Sequence, residues 1–437
     1  MYLMMMEVAA MIPKSKRIPV LKRKIAMALK HSQDMIENCI QSDGLRLNEK
    51  AFTRESPLGP KRLLRMILLR IYRSIQLFLD DFYEETGEKP VTKQAFSKAR
   101  KYLNPEYVRS FVDMTSRIAA DDEDKATYNG MPLIAIDGSD VALENTPELR
   151  AHFGCSGSKR DAATALASTA FDPLNSVIYD CRIAPYGTSE RTLAKQHIER
   201  LLELGLAGSI LLFDRGYPSA EFIAYLYNLG FQFIMRVREK FNLESDAIKT
   251  QGWINLTHDG KEYPVRVLKV ALSTGGTETL FTSFNQKQLP IRAAGPLYFE
   301  RWGVETAYDM IKSKLELENF SGKTIVSVLQ DFYATMYLAN MVAFAAEEAD
   351  KIINENDEGK GLKFFRKSNR SRTVDKLRKR FLKLITMKNE KKRTRELDAL
   401  AVDIARFPVQ IVPKPPGTIA RKIPRKKRFF QARRSVV

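Results

Sequence analysis

Between Met131 and Val237 the hydrophobic pattern follows an order that few architectures accommodate. Three short apolar runs come first, "PLIAIDGSDVAL", "ATALASTAFD" and "NSVIYDCRIAPY", each bounded by turn-forming residues. Successive strands with no helix between them imply an antiparallel start. Ser189 then caps "SERTLAKQHIERLLELGL", an amphipathic helix, and "SILLFDRGY" follows as a buried-type strand ending in Asp214. Pro218 opens a second helix, "PSAEFIAYLYNLG", and "FQFIMRV" supplies a fifth strand. Three strands, helix, strand, helix, strand predicts an α/β domain built on a mixed sheet.

The flanks differ in texture. Residues 1–128 read as a helical region, with "PKRLLRMILLRIYRSIQLFLDDFYEET" showing apolar residues at three- and four-residue spacing. In "KPVTKQAFSKARKYLNPEYVRSFVDMTSR", Thr92 caps one helix, the chain breaks at Asn104, and Pro105 opens another, a pattern compatible with a DNA-binding helix-turn-helix. Residues 239–290 are β-rich, with a hairpin turning at Gly275-Gly276, and read as an insertion. After Pro296 a helix is expected over "YFERWGVETAYDMIKSK", followed by a long apolar-faced helix from Thr324.

The formal net charge is +19. From Lys360 to Val437 there are 26 Lys and Arg against 5 Asp and Glu, so the C-terminal part of the basic region 349–437 carries the whole excess. Such a footprint fits a partner of dense negative charge, above all nucleic acid. Three cysteines and four histidines show no paired metal-ligand spacing, which argues against a disulfide scaffold or a structural zinc site. The opening "MYLMMMEVAAMI" has its basic cluster after the apolar run, the wrong order for a secretory signal, and no segment approaches a membrane span. These features place the chain in a reducing cytoplasm.

Three acids stand at special points: Asp137 and Asp214 at the ends of the first and fourth strands, and Glu305 on a late helix. Strand ends are where open α/β sheets place their sites. Converging carboxylates with few histidines suit hard cations, Mg²⁺ or Mn²⁺. Two such ions about 4 Å apart support phosphoryl transfer. On a helix starting at Tyr298, Arg301, Glu305 and Lys312 share with it an arc of about 60°, opposite the apolar face of Val304, Ala307 and Ile311.

With these motifs the chain resembles the DDE transposases of bacterial insertion sequences, in the group named for a Y-(2)-R-(3)-E-(6)-K signature. Tyr298, Arg301, Glu305 and Lys312 meet that spacing, "AIDGSD" is similar to the first acidic motif and "LFDRGY" to the second. The resemblance spans roughly residues 90–345. It implies an RNase H-like catalytic domain over residues 129–238 and 291–348, with helices on both faces of the sheet and the β-rich insertion between the second and third acids. It further implies that Asp137, Asp214 and Glu305 hold two Mg²⁺ or Mn²⁺ ions, while Tyr298, Arg301 and Lys312 contact phosphates. The expected partners are the terminal inverted repeats of an element and target DNA, bound by a homodimer in a synaptic complex at the bacterial nucleoid. Trp253, in the insertion, is a candidate for stacking on a base, with hairpin packing as the alternative. Asp140 and Asp161 read as bystanders. An RNase H-like nuclease without joining activity, and an inactive nucleic-acid-binding relative, remain the alternatives to a transposase.

Overall fold

The computed structural model describes residues 23–412, apart from 55, 72–73, 88, 158–160 and 272–275. The first apolar stretch, Gly275 of the expected turn and the distal "RKIPRKKRFFQARR" lie outside the described residues. The sheet begins with β1 (Leu133–Ala142), whose first four residues are buried. After it come β2 (Cys155–Ser156), β3 (Ala162–Asp172) and β4 (Val177–Pro185), where β1–β3 and β3–β4 pair antiparallel. Next, β5 (Ile210–Phe213) and β6 (Gln232–Val237) add in parallel, β5 beside β1 and β6 beside β5. Apart from the short β2, these are the five strands expected from the sequence, with the antiparallel start it implies.

The β-rich stretch does not form a layer of its own. Strands β7 (Gln251–His258), β8 (Lys261–Ala271) and β9 (Thr277–Thr282) continue the same sheet, with β9 antiparallel to β6. The path is β2-β3-β1-β5-β6-β9-β8-β7, with β4 on β3, giving a nine-stranded mixed sheet.

The helices, numbered in chain order, are α1 (Lys24–Glu37), α2 (Pro60–Leu68), α3 (Ile75–Thr86), α4 (Lys93–Arg100), α5 (Pro105–Ala120), α6 (Pro147–Phe153), α7 (Glu190–Glu203), α8 (Ala220–Asn228), α9 (Leu243–Ala247), α10 (Ile291–Phe299), α11 (Trp302–Ser313), α12 (Ile325–Asp357), α13 (Arg370–Thr386) and α14 (Glu390–Ala405). Thr92 and Asn104 cap α4 and α5 through their side chains, as their positions in the sequence predict. However, α5 packs against α12, α1 and β4, leaving only Glu106 and Arg117 exposed. A helix so enclosed has little face to lay in a groove, which counts against a helix-turn-helix reading of this pair.

The long α12 is buried nearly all round, and α1, α5, α13 and α14 pack on it, so the N- and C-terminal helical regions share one core. A boundary at residue 349 therefore falls inside α12, which meets no breaking residue before Asp357. At its start, buried Asp331 pairs with Arg100 at 2.9 Å and lies 3.5 Å from Arg70. Buried charges persist only when paired, and this trio joins α4 and the end of α2 to the central helix. Among the described residues no helix is long and apolar enough to cross a membrane.

Candidate active site

Parallel pairing of β1 with β5 ends at Ala135 and Leu212. Beyond that point β1 runs on beside β3 as far as Ala142, while β5 stops at Phe213. Asp137 is therefore in mid-strand and not, as the Asp-Gly pair suggested, at a strand end: backbone pairing with β3 overrides the local turn preference. On the side where β5 has ended it faces Asp214 and Glu190 instead of a paired strand. Asp214 begins that departing loop, where its Oδ1 accepts the amide of Gly216 at 2.7 Å.

The expected single helix after Pro296 is two helices. Pro296 lies inside α10, and the chain turns tightly at Glu300 and Arg301 before α11 begins. The amides of Glu300, Arg301, Gly303 and Val304 each bond to the carbonyl three residues back, a 3₁₀-type turn that breaks the helical wheel. Tyr298 thus belongs to the preceding helix, buried, with no partner for its hydroxyl among the described residues. Its ring lies 5.8 Å from the guanidinium of Arg301, and the Trp302 ring lies 5.3 Å from it.

Arg301 is the centre of the arrangement. Its Nη1 donates to Asp137 Oδ2 at 3.2 Å and its Nη2 to Glu305 Oε1 at 2.8 Å. Its side chain is 6% exposed, against 44% for Glu305. Burial works against the charge on Arg301, but Tyr298, Asp137 and Glu305 outweigh it and hold it firmly protonated. Lys312, one side of the same helix, donates to Ser139 Oγ at 2.8 Å and to the carbonyl of Asp140. Tyr308 completes the clamp, its hydroxyl donating to the carbonyls of Ala167 at 3.1 Å and Asp137 at 3.3 Å. At Gly303 any Cβ would lie 2.7 Å from Pro173 Cβ, so only glycine lets α11 come this close to the sheet.

One participant escapes the sequence motifs. Glu190 opens α7, and α7 is fixed on the sheet by buried His197, whose Nδ1 and Nε2 lie 2.7 Å from Asp180 on β4 and 2.9 Å from Ser168 on β3. This anchoring brings the Glu190 carboxylate to the acids. Burial pushes the Asp137 carboxyl up to about 7, with Asp214 and Glu190 adding to the rise and Arg301 and the Gly138 amide opposing it. Burial, then Asp214 and Asp140, likewise raise Glu190. A glutamate at the first helical position is ordinary helix-start chemistry, so its type alone signalled nothing. The glycines beside the two aspartates, Gly138 and Gly216, were the legible hint of a close approach.

Asp137, Asp214 and Glu190 thus lie together, with Glu305 joined to Asp137 through Arg301, and carboxylate oxygens of this kind suit a hard divalent cation. Among the described residues no three His, Cys, Asp or Glu side chains are gathered tightly enough to enclose one ion, and Arg301 stands between the first and third acids. Asp140 is exposed and near Glu190, whereas Asp161 lies elsewhere, by Gly157. Trp253 is on the edge strand β7, 52% exposed.

Residues 128–341 match the family model described as Transposase DDE domain, a span that includes Asp137, Asp214 and the whole Tyr298–Lys312 segment. Over that span, just under half of its length, the chain is similar to the transposase DDE domain. A Sinorhizobium fredii protein named as a candidate transposase, y4zB, is 27% identical over 157 residues, covering 32% of this chain. The chain spans 43% of the length of that relative. A solved piggyBac transposase synaptic complex with hairpin DNA is similar at a TM-score of 0.45 and 12% identity, over 90% of this chain and 86% of that one. That likeness is too distant to carry an argument about the site.

Proposed function

We propose that the chain is a DNA transposase of RNase H-like architecture that cleaves the ends of an insertion sequence and joins them to target DNA by two-metal phosphoryl transfer. Asp137, Asp214 and Glu305 are the acids assigned to the metal ions. The reading is carried by one observation: Asp137 and Asp214 meet where β1 and β5 part, and Glu305, from a distant helix, is tied to Asp137 through Arg301. The strand order β4-β3-β1-β5-β6 supports the same architecture.

The donor set fits Mg²⁺ or Mn²⁺. It consists of hard oxygens, and burial pushes the Asp137 carboxyl up to about 7 against the pull of Arg301, with Asp214 and Glu190 adding to the rise, so a cation arriving there would relieve an unfavourable buried charge. When bound, such ions supply charge neutralisation at the attacking and leaving oxygens of an in-line displacement. Arg301 and Lys312, which here hold Asp137, Glu305, Ser139 and the Asp140 carbonyl, are the cations that would turn to DNA phosphates. Tyr298, its hydroxyl buried, acts by carrying Arg301 on its ring. The protein's work is positioning and charge stabilisation, in a homodimer that brings two element ends together.

A strand-transfer assay with labelled element ends in Mg²⁺ tests the assignment. Wild-type protein yields joined products and Asp137→Asn yields none. Full joining by Asp137→Asn would remove the metal assignment, and cleavage without any joining by the wild type would make the chain a nuclease.

A further inference from the structure

We propose that Glu190 is a fourth carboxylate of the site and holds a divalent cation together with Asp214. The inference rests on the phosphoryl-transfer reading above and extends its donor set to a residue that no motif marks.

Three observations carry it. First, the two oxygens of Glu190 reach both acid-bearing segments: Oε1 lies 3.0 Å from where a Cβ on Gly138 would stand, and Oε2 lies 3.5 Å from the equivalent point on Gly216. Asp214 Oδ1 is 3.1 Å from that same point beside Gly216, so the two carboxylates share a space kept open by a missing side chain. Second, Glu190 has no hydrogen bond or ion pair among the described residues, although it is half-buried beside acids of like charge. A carboxylate so placed is costly unless a cation arrives. Third, Tyr217 is fully buried beside Asp137, Glu190 and Asp214, and its hydroxyl has no partner among the described residues. Buried hydroxyls are normally satisfied, and this one would be free to donate to a group bound among the acids.

Neighbouring features carry less. The buried Ser168–His197–Asp180 chain has no access to solvent, and the arginines around Asp113 and Glu203 are already matched by acids.

The test is Mn²⁺ binding to the full chain without DNA, followed by electron paramagnetic resonance. The set comprises Glu190→Gln, Gly138→Ala, Asp137→Asn, Asp214→Asn and, as a control on the exposed side of α7, Glu199→Gln, each checked for folding by circular dichroism. Glu190→Gln is expected to weaken Mn²⁺ about tenfold or more. Gly138→Ala should do the same by displacing the carboxylate, and Glu199→Gln should bind as the wild type does. If Glu190→Gln binds normally while Asp137→Asn and Asp214→Asn fail, Glu190 is a bystander and the phosphoryl-transfer reading survives. If Asp137→Asn and Asp214→Asn also bind normally, both proposals fall.

Discussion

Asp137 and Arg301 are 164 residues apart in the chain and meet at 3.2 Å. The guanidinium that makes this contact also holds Glu305 at 2.8 Å, so one side chain draws together a strand acid and a helix acid that would otherwise repel. A lysine cannot reproduce that fork. Arg301→Lys is expected to lose on the order of 1–3 kcal/mol of stability in metal-free buffer and to regain more of it than the wild type on adding Mg²⁺. Thermal unfolding with and without Mg²⁺ measures both effects, and equal responses in the two proteins would count against the bridge.

Asp137→Asn should abolish strand transfer yet raise stability in the absence of metal. Burial, Asp214 and Glu190 disfavour the ionised carboxyl by more than Arg301 favours it, so a neutral amide relieves a cost on the order of 1–3 kcal/mol. Urea unfolding in chelator at pH 8 gives the comparison. A destabilised variant would mean that the Arg301 contact dominates.

Asp172 supplies a pH dependence remote from the site. It is fully buried at the β3–β4 turn, and burial pushes its carboxyl up to about 6, against the hydrogen bonds from Asn175, Tyr179 and Leu174. The folded state therefore holds this proton more tightly than the unfolded chain does. Its contribution is fully present below about pH 4 and is lost as pH rises to about 6, a change on the order of 3 kcal/mol. Asp172→Asn should flatten the melting temperature across that window.

Asp331 faces two buried guanidinium groups. Burial alone would raise its carboxyl, but Arg100, Arg70 and Ser321 hold it below the usual range. Asp331→Ala leaves two buried cations with one counter-ion fewer, and should cost about 3–5 kcal/mol. A urea midpoint unchanged from wild type would show that α4 and α12 do not depend on this pair.

Trp253 predicts the opposite pattern. Being 52% exposed on an edge strand, it should tolerate Trp253→Ala with a stability change within about 0.5 kcal/mol. If it stacks on an unpaired base, the same change weakens binding to an element end carrying a flipped nucleotide by about 1–3 kcal/mol. Equal affinity of both proteins for that DNA would remove the stacking role.

The strand order was legible, and Asp137, Asp214 and Glu305 could be marked as candidate acids, because periodicity and turn residues are local signals. The passage of β1 through Asp137-Gly138 was not, since a neighbouring strand 30 residues on, paired through Gly138 and Ser168, decides it. Nor was the break at Glu300 and Arg301: both residues keep right-handed helical angles, so the wheel carries on smoothly in sequence while the chain is drawn toward Pro173. Glu190 was hidden for a similar reason. Its place depends on how His197 seats α7, a contact between three elements that no single segment displays.

The continuity of the sheet makes it a ruler. From β1, which bears Asp137, to β7, which bears Trp253, the path crosses β5, β6, β9 and β8 without a gap. At the usual inter-strand spacing that path measures roughly 24 Å, the rise of about seven base pairs. Hydrogen-bonded strands do not stretch, so any DNA end gripped at the outer edge would present the acids with a bond at a set number of nucleotides from the grip. On the proposed transposase reading, inserting or deleting one strand of the β-rich segment would change that count, and with it the position expected for the cut.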